Sequence, residues 1–297
     1  MQQNTNAMTD NLFMENLKQS KWARIFIYLV ILLVSSLIGV ALSAIFMFAG
    51  DNGMRIAQGL SSIMMFVVPP IVYYFVTRKE HQMEDLGFRK VCSPWYLYIL
   101  IGVALMFVSL PVTNQLTTWN EGMNLGTAFE KFEDLLKTLE QTAAETTERL
   151  LNVDSIGGLL LNLLIIGLIP AVGEELTFRG LLQQSLTRDV KNPHIAIILS
   201  AAIFSFIHFQ FYGFLPRMFL GLLLGYMFYI SGSLWTSIAM HFVNNGSAVL
   251  VYYLNNKGVI NVDVEHFGAT ESVWLIVASA VMTVVLIVWN WRKRKPL

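Results

Sequence analysis

Long intervals without a charged residue divide this chain. Residues 25–49, 56–77, 96–112, 155–173, 192–216, 218–256 and 272–291 carry no Asp, Glu, Lys or Arg. A helix needs about 20 apolar residues to cross the hydrocarbon core of a bilayer. Six of these intervals supply one span each, and 218–256 is long enough for two short spans turning at Ser231-Gly232-Ser233. The pattern therefore predicts an all-α, polytopic membrane protein, a bundle of about eight transmembrane helices. Pro69-Pro70 in the second span and Pro170 in the fourth are expected to bend their helices.

One sizeable polar stretch interrupts the series, at about 114–154. Within it Phe129, Phe132, Leu135, Leu136, Leu139, Ala143 and Leu150 recur at helical spacing, and Glu130, Glu133, Asp134, Glu140, Glu145 and Glu148 occupy the other face. This reads as an amphipathic helix outside the membrane, lying on the bundle or at the interface. A solvated connector and a gate over a buried site are the two roles it can take. The chain thus divides into 1–113 (tail and three spans), 114–154 (the amphipathic segment), 155–256 (a core of four spans) and 257–297 (the last span and a basic tail). No internal repeat or low-complexity tract is present.

Composition supports the membrane reading. Hydrophobic residues make up 55% of the 297 and charged residues 13%, against about half and a quarter in a soluble domain. Twenty basic and twenty acidic residues cancel, so no basic field draws nucleic acid. The single cysteine, Cys92, excludes a disulfide framework and a multi-cysteine zinc site; it reads as an inert thiol near a helix end. Eight spans with the N-terminus inside put 14 of the 20 basic residues on the cytoplasmic side, the run Arg292 to Lys295 included, as the positive-inside rule requires. Both termini are then cytoplasmic. Tryptophans 22, 95, 235, 274, 289 and 291 fall at span ends, where an aromatic belt sits. The polar leader and long apolar run of the first span suit an uncleaved anchor better than a signal peptide.

Ionisable residues are costly inside a bilayer and persist mainly where they have work to do. Three places stand out. In Gly173-Glu174-Glu175-Leu176-Thr177-Phe178-Arg179, Glu175 and Arg179 are four apart and share a helical face, while Glu174 is turned about 100° from Glu175. The plain alternative is a surface ion pair at a helix end. His208 lies about 14 residues into the fifth span, where it either serves chemistry or bonds a backbone carbonyl. His241 and Asn245, four apart in the seventh span, are either functional or a helix–helix hydrogen-bonding pair. Together, two carboxylates, two histidines and an amide from three spans provide a base, proton carriers and an oxyanion donor. That set fits amide hydrolysis by an activated water better than ion transport.

The motifs Glu174-Glu175-x-x-x-Arg179, Phe204-x-x-x-His208 and His241-x-x-x-Asn245 resemble, in this order, those of the CPBP family of intramembrane proteases. That family includes the CAAX prenyl endopeptidases and the bacteriocin-immunity (Abi) proteins. The resemblance covers roughly 159–251 and implies about eight helices with a glutamate protease site inside the membrane. By resemblance, Glu174 is the general base, His208 holds the water, His241 and Asn245 stabilise the oxyanion, and Glu175 and Arg179 are a supporting pair. Spacing alone leaves open whether Glu174 or Glu175 is the base. Some accounts of the family invoke a metal; two Glu and two His could ligate zinc, but the helical HExxH pattern is missing, and a site with no cofactor is expected.

A geometric conflict follows if the fourth span ends at Gly173. The glutamates would then sit at the cytoplasmic surface, about 20 Å from His208. A fourth helix running over about 156–186, bent near Pro170, removes the conflict. The expected partners are membrane lipid and a peptide or lipidated peptide, with no nucleic acid. A non-proteolytic binding or immunity protein on the same fold is the alternative. A secondary transporter would require inverted repeats and broken paired helices, which the sequence lacks.

Overall fold

The computed structural model describes residues 21–77, 86–89, 95–264 and 266–294. Ten helices and no strand lie among them: α1 (Lys21–Phe46), α2 (Gly50–Thr77), α3 (Trp95–Val108), α4 (Leu110–Glu121), α5 (Glu130–Leu151), α6 (Ile156–Val190), α7 (Pro193–Phe206), α8 (Phe214–Ser231), α9 (Leu234–Asn256) and α10 (Val273–Lys293). By length and apolarity, α1, α2, α6, α8 and α10 are able to cross a membrane, and α3 with α4, bent by 46° at Ser109, makes a sixth if counted as one span. The protein is an all-α, polytopic integral membrane protein. Helix α7 has only 14 residues, and α9 is a continuous helix of 23 residues whose apolar run includes the polar His241, Asn244 and Asn245; neither meets the same test. Cys92 and the basic residues Lys18, Arg78, Lys79, Lys90 and Lys295 lie outside the described residues.

The prolines widen their helices locally, and polar contacts form where they do. A proline offers no N–H and its ring clashes with the carbonyl four residues before it. Directly ahead of Pro69-Pro70, α2 widens into a π-helical stretch over Ile63–Val67, and directly ahead of Pro170, α6 does the same over Leu163–Leu168. The carbonyls that Pro70 and Pro170 leave unbonded belong to Phe66 and Ile166. Phe66 O accepts from Thr177 Oγ1 of α6 at 3.0 Å, and Ile166 O accepts from Asn245 Nδ2 of α9 at 3.2 Å. Side chains from neighbouring helices thus satisfy backbone that lipid could not.

Helix α6 runs unbroken over 35 residues, which removes the conflict over the depth of the glutamates. Lys191, in the left-handed region, turns the chain into α7. Glu174 and His208 are each 17 positions from that turn, about 25 Å along their chains at helical rise, so they reach the same level. At the other predicted turn, Gly232 adopts φ 70° and reverses α8 into α9.

Association of apolar helices in lipid rests on close packing and interhelical hydrogen bonds rather than on the hydrophobic effect. Here α6 meets α8 through a ladder. Arg179 and Gln183, four apart on α6, donate to the carbonyls of Gly221 and Gly225, four apart on α8, at 2.8 and 2.9 Å. Around it, Leu105, Leu224, Met227 and Met240 of α3, α8 and α9 form one buried cluster, and Tyr74, Leu176, Phe228, Leu234 and Ile238 belong to a second.

One expectation needs correction. The interval 192–216 is not one helix: α7 stops at Phe206 and α8 begins at Phe214. The 207–213 segment between them is held in place by long-range bonds that compete with helix continuation. Asn120 of α4 donates to Phe211 O at 2.9 Å and accepts from Leu215 N, while Ser205 Oγ donates to Phe214 O at 2.7 Å. For α5, expected on the bundle or at the interface, the structure narrows the choice. Its apolar stripe does not cover the bundle, since Phe129, Phe132, Leu135 and Leu139 are all exposed. Two residues of its acidic face turn inward instead. Glu133 is buried and accepts from Leu125 N at 3.0 Å, and Glu140 accepts from Tyr212 N at 3.1 Å. The far end of α5 is fixed by Arg55, whose side chain donates to Leu150 O and Asn152 O.

Candidate active site

The site forms where a short α-helical stretch of α6, Ile169–Glu175, gives way to a second π-helical stretch, Leu176–Gln183. Such widened turns recur at functional sites because they re-aim side chains out of the regular helical register. Glu174 and Glu175 are both buried, at 8% and 0% exposure, and face different partners. Gly173 lets this stretch approach α2: a Cβ there would stand 2.9 Å from Phe66 Cβ and Val67 Cγ2.

Glu175 is the centre of a charge network. Its Oε1 accepts from Arg179 Nη1 at 2.8 Å and from His241 Nδ1 at 2.9 Å. Arg179, also fully buried, uses Nη2 on Gly221 O, and its Cζ lies 4.9 Å from the centroid of the Phe204 ring. Two short charge-assisted bonds, both to Oε1, offset much of the cost of burying this carboxylate, whose Oε2 is buried without a hydrogen-bond partner. They also set it apart from the cavity: Oε1 is held by two fixed cationic or N–H partners, and Glu174 rather than Glu175 lines the cavity. Glu174 has no such commitment. Its nearest ionisable partner is His241 Nε2, at 3.8 Å from Oε2. His241 is therefore slung between the two glutamates, one on each ring nitrogen.

The hydrogen-bond chemistry fixes the ring roles. A carboxylate only accepts, so His241 Nδ1 carries a proton toward Glu175 and Nε2 faces Glu174 and the cavity. His208 Nδ1 lies 2.8 Å from Phe204 O; a carbonyl only accepts, so this nitrogen also carries a proton and the His208 Nε2 lone pair remains free to accept. Phe204 packs edge-on against both imidazoles, with centroids 5.2 Å from His208 and 6.0 Å from His241. Asn245 Nδ2 spends one hydrogen on Ile166 O, and its Oδ1 accepts from Asn244 Nδ2 at 3.1 Å. The second Nδ2 hydrogen is left for a ligand.

Glu174, His208, His241 and Asn245 line one cavity of about 330 Å³, so α6, the 207–213 segment and α9 bring these four side chains together. Glu175 and Arg179 support it from behind through His241. His208 does bond a backbone carbonyl, but it sits past the end of α7 rather than within a helix. Among the other lining residues, Phe204 opens the motif Phe204-x-x-x-His208, whereas Asn244 and Arg217 carry polar groups that the sequence did not mark as part of the site. Asn244 lies inside the last motif. Arg217 is the lone charge separating two long apolar intervals, and that isolation was its signal. Among the described residues, no three His, Cys, Asp or Glu side chains are gathered to ligate a metal ion.

Residues 156–247 match the family model described as Type II CAAX prenyl endopeptidase Rce1-like. No curated protein and no solved structure matches the chain.

Proposed function

Starting from residues 156–247, a segment that belongs to the CPBP family, we propose that the protein is an intramembrane endopeptidase in which Glu174 activates water. The family is one of CAAX-type proteases; the glutamate mechanism is our reading. The observation that carries it is the division of labour between adjacent carboxylates. Glu175 is locked by Arg179 and His241, while Glu174 opens on the cavity with no closer ionic partner than 3.8 Å.

In this mechanism a water molecule donates one hydrogen to Glu174 and the other to His208 Nε2. Glu174 takes its proton as the oxygen attacks the peptide carbonyl carbon. The developing oxyanion accepts from the second Nδ2 hydrogen of Asn245 and from a protonated His241 Nε2, a cation balanced by Glu175 through Nδ1. Collapse of the tetrahedral intermediate breaks the C–N bond, and Glu174 returns its proton to the leaving amine. A positioned base is worth about 10²–10⁴-fold and one oxyanion donor about 10²–10³-fold. The substrate is a peptide seated in the membrane, with or without an attached lipid.

The test is cleavage of a peptide library by purified protein in detergent or liposomes. Glu174→Gln and Glu174→Ala are expected to lower kcat by at least about 10²-fold, and Asn245→Ala by about 10²–10³-fold, with the fold intact. Wild-type rates in both Glu174 variants would reject the assignment. We also propose that both termini are cytoplasmic, because the basic residues at the two ends then lie on the positive side; a C-terminal reporter active only on the outer face would overturn this.

A further inference from the structure

Arg217 is a cation that its surroundings leave incomplete. It is the fourth residue of α8, within the first turn, where the helix dipole disfavours positive charge. Its side chain is partly buried, with Nη1 fully enclosed, and it lines the cavity with Glu174 and His208. Nη2 donates to Gln210 Oε1 at 2.7 Å, whereas Nη1 is buried with no hydrogen-bond partner. Among the described residues no carboxylate comes within ion-pair distance of it, although Glu140 and Glu174 lie close enough for their charges to be felt. The backbone makes room for this arrangement: a Cβ at Gly213 would stand 2.9 Å from Nη2 and 3.4 Å from Cζ. The side chain is therefore held over a bare glycine, steadied by a loop glutamine, with one donor unspent.

A partly buried, unpaired guanidinium gives the fold no stability that an apolar residue would not exceed, because an uncompensated charge is expensive to desolvate. It makes physical sense where an anion arrives with the substrate. The planar guanidinium fork suits a carboxylate, and a cavity of about 330 Å³ is at the small end of the range for ligand sites. We propose that Arg217 is a specificity-determining residue that anchors a carboxylate of the peptide substrate, so that the scissile bond is presented to Glu174 a short distance away. The carboxylate can be the free C-terminus of the peptide or an acidic side chain near it. This inference rests on the peptide-substrate reading above, but it concerns binding and can be tested without cleavage.

The experiment uses full-length Glu174→Gln protein in nanodiscs and labelled apolar peptides read by fluorescence anisotropy. Three peptides are compared: one with a free C-terminal carboxylate, the same peptide amidated, and the amidated peptide with one Glu near its end. At least one carboxylate peptide is expected to bind about ten-fold or more tightly than the neutral one. A gain from the first assigns the terminus, and a gain from the third assigns the side chain. Arg217→Gln is expected to bring all three to parity, and Arg217→Lys to restore part of the preference, with thermal unfolding of each variant confirming that it is folded. Equal binding of all three peptides to the Arg217 protein, or a preference that survives Arg217→Gln, overturns the proposal. Loss of cleavage by wild-type protein alongside a retained Arg217-dependent preference would reject the protease reading and leave this one standing.

Discussion

Replacing Glu175 with alanine tests whether the buried network around His241 is what holds the site together. The substitution removes the acceptor of two bonds, from Arg179 Nη1 at 2.8 Å and His241 Nδ1 at 2.9 Å, at a position with no solvent exposure. Each charge-assisted bond is worth about 1.5–3 kcal/mol, so losing both costs about 3–6 kcal/mol. Removing one partner of a buried ion pair independently costs about 3–5 kcal/mol, mostly because the remaining charge is stranded. Arg179 would keep only Gly221 O and the Phe204 ring. Glu175→Gln retains an oxygen acceptor and should lose less than half as much. The assay is reversible unfolding in mixed micelles, followed by tryptophan fluorescence, with the exposed Glu145→Ala on α5 as reference. Surface changes of that kind stay within about 0.5 kcal/mol. If Glu175→Ala falls within 1 kcal/mol of Glu145→Ala (about a fifth of the expected loss), the network does not carry the stability assigned to it.

Other consequences follow from the same geometry. Gly173→Ala puts a Cβ 2.9 Å from Phe66 and Val67 and should cost about 1–3 kcal/mol by overpacking, with a matching fall in activity as Glu174 shifts; an unchanged unfolding midpoint would contradict the packing. Asn120→Ala strands Phe211 O and Leu215 N, so amides in 207–213 should exchange faster and kcat should drop because His208 is no longer fixed, while α1 and α10 keep their protection. Hydrogen bonds from Lys137 and Leu125 N hold the Glu133 carboxyl below its ordinary value of 4.5. A group with a depressed folded pKa contributes stability that is present above 4.5 and lost as pH falls through the lower folded value. Protection of the Leu125 amide should follow that course, and a Leu125 amide indifferent to pH between neutrality and acid would refute it.

Much of this arrangement was legible in the sequence because the bilayer enforces it. Charge exclusion marked the long apolar helices and the Ser231-Gly232-Ser233 reversal, and a conflict of depth between Glu174 and His208 was enough to require an α6 that passes well beyond Gly173. Less was legible where contacts cross the chain. The four-residue spacing of Glu175 and Arg179 announced their pairing, but nothing local announced that His241, 66 positions later, would complete it. The end of α7 was invisible because 206–212 is as aromatic and apolar as the helix before it, and its termination depends on Asn120, 91 positions away. The period of α5 was readable, yet the period does not say whether lipid or protein covers the stripe. Glu140, which accepts from Tyr212 N, shows that the acidic face supplies a bond to the bundle. Arg217 was read only as a boundary between spans, since one-dimensional spacing cannot distinguish a charge that ends a helix from one that lines its cavity.

The claim at the centre of this account is that Glu174 deprotonates a water rather than attacking the peptide itself. Single-turnover cleavage in H₂¹⁸O, with enzyme in excess and both product and protein analysed by mass spectrometry, addresses it directly. One ¹⁸O atom is expected in the new carboxyl group of the peptide and none in the Glu174 carboxylate. Label in Glu174, or cleavage that proceeds equally well in Glu174→Gln, would contradict it.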